Sequence, residues 1–145
     1  MSALLTNKPL LGPLVALNAW TFAIEALLYK RRTPALAKYN ITFDPETVKK
    51  QKAEKLPAFV QWPADNYNNL MEQPTQFYAV LLGLTLLDIK NKRTVSLAWA
   101  YVGLRLVHSL IHVSINYPVP RFAVFATSSF VLLGLTAEAA WNLLV

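Results

Sequence analysis

Polar and ionisable side chains recur at helical spacing in two segments of this sequence. The first set lies at i, i+4, i+7 and i+11: Asp65, Asn69, Glu72 and Gln76. The second set has the same spacing: Tyr101, Arg105, His108 and His112. At 3.6 residues per turn, each set forms one stripe along a helix. Carboxylate, guanidinium, amide and imidazole groups brought together would suit a charged, zwitterionic ligand.

Two other interpretations of the same stripes stay open. Glu72 and Arg105 could form an ion pair that only fixes helix register, with Asn69 and Gln76 as interhelical hydrogen-bond partners worth about 1 kcal/mol each. His108 and His112 stand one turn apart and could bind a metal or haem, with Glu72 as a third ligand. That spacing is weakly specific, because the chain has only two histidines and no H-E-x-x-H motif. We therefore predict no metal site.

The composition indicates a membrane protein of one domain, residues 1–145. Hydrophobic residues make up 54% of the chain and charged residues 15%, whereas a soluble domain carries about a quarter charged residues. The chain has no cysteine, which excludes disulfides, thiolate metal sites and a cysteine nucleophile. Any thiol chemistry would need a thiol from a substrate or cofactor.

Four apolar segments are long enough to cross a bilayer, which takes about 20 residues. They cover approximately residues 10–29, 66–87, 94–116 and 121–144. Four such runs in a short chain leave almost no polar face, which argues against buried helices of a soluble protein. The predicted fold is an all-α integral membrane four-helix bundle, with a loop containing a short helix around residues 44–55.

The basic residues are concentrated after the first apolar segment. The net charge is +6, and eight of the fourteen Lys and Arg residues lie between Lys30 and Lys55. Basic residues beside a span more often set membrane orientation than bind nucleic acid. We predict that the loops 30–65 and 117–120 are cytoplasmic and that both termini face the other side. Glu25, Glu72, Arg105 and Arg121 then share one half of the membrane.

The ordered motifs resemble those of a known family. The segment from Asn69 to Pro74, N-L-M-E-Q-P, is followed by Phe77, and R-L-V-H begins at Arg105 and precedes Arg121. These motifs resemble the second-helix and third-helix regions of MAPEG proteins, the membrane-associated proteins in eicosanoid and glutathione metabolism. The sequences of the two motifs are most similar to those of bacterial-type members. The resemblance covers most of the chain from residue 60 onward.

The resemblance implies a homotrimer that binds glutathione between neighbouring subunits near the cytoplasmic side. It implies that Asn69 and Glu72 contact glutathione and that Arg121 is the catalytic residue stabilising its thiolate. It also places Arg105 and His108 in the third-helix wall of the glutathione site. His112 continues that stripe and is counted with the glutathione-binding candidates.

The resemblance leaves two functions open. The first is a glutathione-dependent transferase or peroxidase acting on lipophilic electrophiles that arrive from the membrane. The second is a noncatalytic membrane protein of the same fold, whose polar cluster is structural or binds a lipid headgroup. Asp65 favours the second, because glutathione-binding members usually have arginine four residues before the second-helix asparagine. His112 stands where the eicosanoid enzymes often have tyrosine, which argues against eicosanoid reactions.

Overall fold

The computed structural model describes residues 8–144, in which the regular secondary structure is entirely helical. There are five: α1 (Leu11–Lys38), α2 (Val48–Lys55), α3 (Ala58–Leu86), α4 (Lys92–Ser114) and α5 (Pro118–Leu144). The four long helices overlap the four predicted spans. The short helix α2 confirms the helix expected in the first loop.

Three of the helices are long and apolar enough to cross a membrane: α1, α4 and α5. Together with the composition, they make this a membrane protein. Helix α3 has 29 residues and is about 44 Å long at 1.5 Å per residue. It is long enough to cross, but its polar stripe and the neighbouring Asn68 and Gln73 make it less apolar than the other three.

Helix α1 continues well past the predicted end at Tyr29. It runs through the basic residues that follow and ends at Lys38, with Pro34 inside it. Basic residues end an apolar stretch without interrupting backbone hydrogen bonds, so the span and the helix need not end together. Within this extension, Nη1 of Arg31 donates to the carbonyls of Phe59 (3.2 Å) and Val113 (3.0 Å). One guanidinium therefore ties α1 to the start of α3 and the end of α4.

The core lies where α3 packs against α1 and α4, while α5 packs mainly against α4. Phe77 and Tyr101 are fully buried, and their rings stack with centroids 4.3 Å apart. A second, smaller apolar cluster lies around α2 and holds the first loop against the ends of α1 and α3. Its buried members are Ala35, Ile41, Leu56 and Val60.

Three of the turns between helices use a residue with positive φ. These residues are Asn40, Asp88 and Asn116, with φ of 48°, 56° and 50°. Asn and Asp adopt this left-handed conformation more readily than other side chains with a Cβ. After α3, the N–H of Ile89 returns to the carbonyl of Leu84 (3.0 Å), which caps the helix and reverses the chain. Pro118 then opens α5, where its missing N–H costs nothing.

The turn between α3 and α4 is held by polar contacts to both chain ends. Asp88 forms salt bridges with Lys8 (3.0 Å) and Lys90 (2.9 Å). Glu138 on α5 accepts hydrogen bonds from Asn91 and Thr94 at the start of α4. Glu138 therefore links α5 to the start of α4.

Candidate functional site

A cleft of about 320 Å³ opens between α3, α4 and α5. Its walls are formed by Asn69, His108, Pro118, Arg121, Phe122 and Phe125. The cleft therefore brings together three of the predicted site residues, one from each of three helices. Its volume lies at the lower end of the range for small-molecule sites, about 300–1,000 Å³.

Arg105 lies behind the cleft wall and is fully buried. Its Nη2 donates to the backbone carbonyl of Asn69 at 3.0 Å. Its guanidinium carbon lies 5.9 Å from the ring centroid of Tyr101 and 5.4 Å from that of Phe125, within cation–π range. Nε and Nη1 have no hydrogen-bond partner in residues 8–144. Arg105 thus joins α4 to α3 and places a positive charge beside the cleft that no salt bridge within residues 8–144 neutralises.

Glu72 does not pair with Arg105. The salt bridges within residues 8–144 lie in loops, turns and α2, and none involves either residue. Glu72 is instead exposed on the outer face of α3, as are Asp65 and Gln76. The interpretation of Glu72 and Arg105 as an ion pair that fixes register is therefore wrong.

The two imidazoles lie together inside the protein. His108 is 2% exposed and His112 6% exposed, with ring centroids 5.7 Å apart and the rings edge-on. Nδ1 of each ring has no hydrogen-bond partner in the described chain, and His108 also packs against Phe125 at 6.0 Å. Across residues 8–144, no three His, Cys, Asp or Glu residues are arranged to hold a metal ion. Glu72 is not a third ligand to the pair.

Arg121 reaches the cleft from the first turn of α5 and is half-buried. Its Nη1 donates to Oδ1 of Asn116, the residue whose positive φ turns the chain between α4 and α5. The turn thereby fixes the guanidinium at the mouth of the cleft. Sequence reasoning used Asn116 only to mark the end of a span. Asn116 lies five residues before Arg121 in a short connection, and this closeness in sequence could have indicated that the two side chains interact.

Sequence reasoning also missed Gln73, which makes the interhelical contacts expected of Asn69 and Gln76. Nε2 of Gln73 donates to Oγ of Ser129 (2.7 Å), and the hydroxyl of Tyr101 donates to its Oε1 (3.4 Å). Gln73 lies off the polar stripe by one position, so helical spacing alone did not single it out. The side-chain oxygen of Asn69 is buried and unpartnered among the described residues.

Phe125 and Asn66 complete the surroundings. Phe125 contacts Arg105 and His108 and also lines the cleft. Asn66 is fully buried, and neither atom of its amide has a partner within residues 8–144. Glu25 stays apart from the cleft and accepts a hydrogen bond from Tyr29 on its own helix (3.3 Å). Of the four residues expected in one half of the membrane, Arg121 lines the cleft and Arg105 lies behind its wall, whereas Glu25 on α1 and Glu72 on α3 do not line it. The cleft is built by α3, α4 and α5 alone.

The fold and this cleft define a helical membrane protein with a polar cleft between three of its helices. The model of the MAPEG family matches residues 10–141, nearly the whole chain. The chain belongs to the MAPEG family. No curated protein and no solved structure matches it significantly.

Proposed function

We propose that this protein is a glutathione-dependent transferase or peroxidase that acts on lipophilic electrophiles. The observation that carries the proposal is the cleft, which joins Asn69, His108 and Arg121 with two phenylalanines. Oδ1 of Asn69 and Nδ1 of His108 belong to lining residues but are themselves buried, and neither has a partner in residues 8–144. A rotation of either side chain toward the cleft would bring it within reach of the amide and ammonium groups of a peptide-like ligand.

The charge around the cleft fits a thiol ligand. Bound there, glutathione would supply a thiolate nucleophile, which a chain without cysteine cannot provide itself. A nearby guanidinium favours the thiolate over the thiol. Arg121, held by Asn116, would stabilise that charge, and the buried guanidinium of Arg105 behind Phe125 would add to the positive field.

The apolar side of the cleft would admit the second substrate. Phe122 is 69% exposed on the outside of α5, where a membrane protein meets lipid or another subunit. A lipophilic electrophile dissolved in the bilayer could reach the cleft along this surface without crossing water. The polar wall and the apolar wall would thus bind different reactants.

A second copy of the chain would complete this site. Asp65, Glu72 and Gln76 are all exposed on the outer face of α3, and Glu72 lies about 21 Å along the helix from Ala58. A carboxylate facing hydrocarbon is costly unless it is paired or hydrated. We infer that another subunit covers the part of this stripe around Glu72 and Gln76, in agreement with the homotrimer that the family implies, and that Glu72 contacts glutathione at that junction.

The alternative is a noncatalytic member of the family. Asp65 favours it, because a carboxylate at this exposed position would repel the carboxylates of glutathione. The positive charges of Arg32 and Arg121 both act on Asp65 and partly offset that repulsion. In this alternative, the cleft binds a lipid headgroup or serves only to hold the helices together.

Calorimetric titration of the detergent-purified protein with glutathione separates the two functions. We expect binding at millimolar concentration or below, with a large loss of affinity in Asn69→Ala. The matched control is Asn68→Ala, which removes the same amide from an exposed neighbouring position and should bind as the wild type does. Absence of binding to a protein that keeps its helical circular dichroism would leave only the noncatalytic alternative.

A further inference from the structure

A second groove, of about 390 Å³, lies where α1, α2 and α3 meet at the loop end of the protein. It is lined by Arg32, Lys49, Lys52, Ala53, Gln61 and Asp65. Three of these side chains are basic and one is acidic. The groove is separate from the cleft described above, with which it shares no lining residue.

Hydrogen bonds fix the base of this groove. Nη2 of Arg32 donates to Oε1 of Gln61 at 2.7 Å, and Nε2 of Gln61 donates to the carbonyl of Lys52 at 3.3 Å. The three helices are thereby linked through one amide. The only hydrogen bond that this guanidinium donates within residues 8–144 is the one from Nη2 to Gln61. Its Nε is inaccessible, so Nη1 is the donor left for a ligand.

The lysines of the groove are also uncompensated. On α2, Lys50 pairs with Glu54 at 3.9 Å, whereas no salt bridge in the described chain involves Lys49 or Lys52. Asp65 contributes the one negative charge, and it forms no salt bridge with Arg32 within that range. The groove consequently keeps a net positive charge, which attracts anions.

The position of the groove indicates the source of the anion. Arg32 lies directly after the apolar part of α1, a candidate membrane span, so the groove is at the level of the membrane surface. Helix α2 is held there by the apolar cluster around Leu56. Basic residues beside a membrane attract anionic headgroups, with a gain of about fivefold in affinity for each Lys or Arg.

We propose that this groove binds the phosphate group of an anionic membrane phospholipid. The guanidinium of Arg32 would donate to the phosphate oxygens from the base of the groove, and Lys49 and Lys52 would contact them from α2. This site does not depend on glutathione binding in the other cleft. A phosphate ester free in solution has the same chemistry, so the test must separate the two sources.

Native mass spectrometry of the purified protein with added phosphatidylglycerol or phosphatidylcholine tests the proposal. We expect preferential retention of phosphatidylglycerol, reduced at least about tenfold in the double variant Lys49→Gln/Lys52→Gln, which loses hydrogen bonds to a charged group. The control Lys50→Gln/Lys55→Gln removes the same charge from the same helix outside the groove. It should stay within about twofold of wild type, the effect of an exposed charge that does not contact the phosphate. Equal retention of the two lipids, or equal losses in the two double variants, would overturn the proposal.

A competition with soluble glycerol phosphate distinguishes the sources. If the ligand is a lipid, millimolar glycerol phosphate should leave phosphatidylglycerol bound, because the lipid is also held by its acyl chains. Displacement of the lipid, together with binding of glycerol phosphate that depends on Lys49 and Lys52, would contradict the lipid assignment. Thermal midpoints of all variants, measured in parallel, would show that the exposed substitutions leave the fold intact.

Discussion

Arg105 is the residue that most directly links the architecture of this protein to its proposed chemistry. A guanidinium that is fully buried would be costly without compensation. Here it donates one hydrogen bond to a backbone carbonyl and lies within cation–π distance of two aromatic rings. Two of its nitrogens have no hydrogen-bond partner in the described chain. An anionic ligand in the neighbouring cleft would supply the missing charge compensation.

Asp65 should weaken glutathione binding, because it places a negative charge at the exposed rim of α3. We predict that Asp65→Arg strengthens glutathione binding at least about tenfold, the effect of one hydrogen bond to a charged group. Calorimetry of the two proteins measures this change. Asp65→Asn is the control that removes the charge without adding a donor, and it should give an intermediate affinity. Unchanged or weaker binding by Asp65→Arg would show that this position does not face the ligand.

At the scale of the elements, the turns position the site. Arg121 is fixed by a turn residue with positive φ, and the turn between α3 and α4 is held by Asp88 and its two lysines. The hydrogen bonds from Lys90 and Lys8 hold the pKa of Asp88 below its ordinary value of 3.8. The ionised carboxylate therefore stabilises the folded state.

This linkage predicts a pH dependence of stability. Because the pKa of Asp88 is lowered on folding, its contribution is complete above the ordinary pKa and is lost as pH falls through the lowered one. We predict that Asp88→Asn, which keeps a side chain suited to positive φ, lowers the thermal midpoint at neutral pH. The difference from wild type should shrink below the ordinary value of 3.8. A constant difference across this range would mean that the charge of Asp88 is not responsible.

The sequence was sufficient to predict the long helices and three of the six residues that line the cleft. Helical spacing singled out Asn69 and His108, because a stripe depends on local periodicity, whereas Arg121 was found from the family resemblance. The pairing of side chains depends on helix rotation, which periodicity does not determine. For that reason Glu72 was expected to pair with Arg105. Glu72 is instead exposed, and Arg105 donates to the backbone carbonyl of Asn69.

The hydropathy pattern also did not predict where the helices begin and end. Helix α1 passes through its basic residues and ends at Lys38, while α3 begins at Ala58, before the predicted span. Hydropathy locates the part of a helix that lies in lipid, whereas capping and packing locate its ends. The extended ends matter because they contain residues that link the helices. Arg31 donates to the carbonyl of Val113, and Arg32 donates to Gln61.

At the scale of the whole molecule, the passage of α3 through the membrane decides the arrangement. Composition identifies three spanning helices without α3, and the family and its length favour four. If α3 crosses, the first loop and the turn at Lys90 lie on opposite sides of the membrane. If it does not, they lie on the same side.

The absence of cysteine makes this arrangement testable by labelling. We predict that a single cysteine at Lys90 reacts with an impermeant maleimide from outside intact cells. A cysteine at Glu46 should react only after the membrane is opened, because its loop is expected to be cytoplasmic. Labelling of both from one side would contradict four spans. The reverse pattern would keep four spans but invert the predicted orientation.

The central claim is that this membrane cleft holds glutathione as a thiolate next to Arg121. The most direct measurement is the ultraviolet difference absorbance of the thiolate when saturating glutathione is added to the purified protein. We predict a thiolate signal in the wild type and in Arg93→Ala, a control for charge removed outside this cleft, and its loss in Arg121→Ala. An unchanged signal in Arg121→Ala, or no signal in a wild type that binds glutathione, would contradict this account.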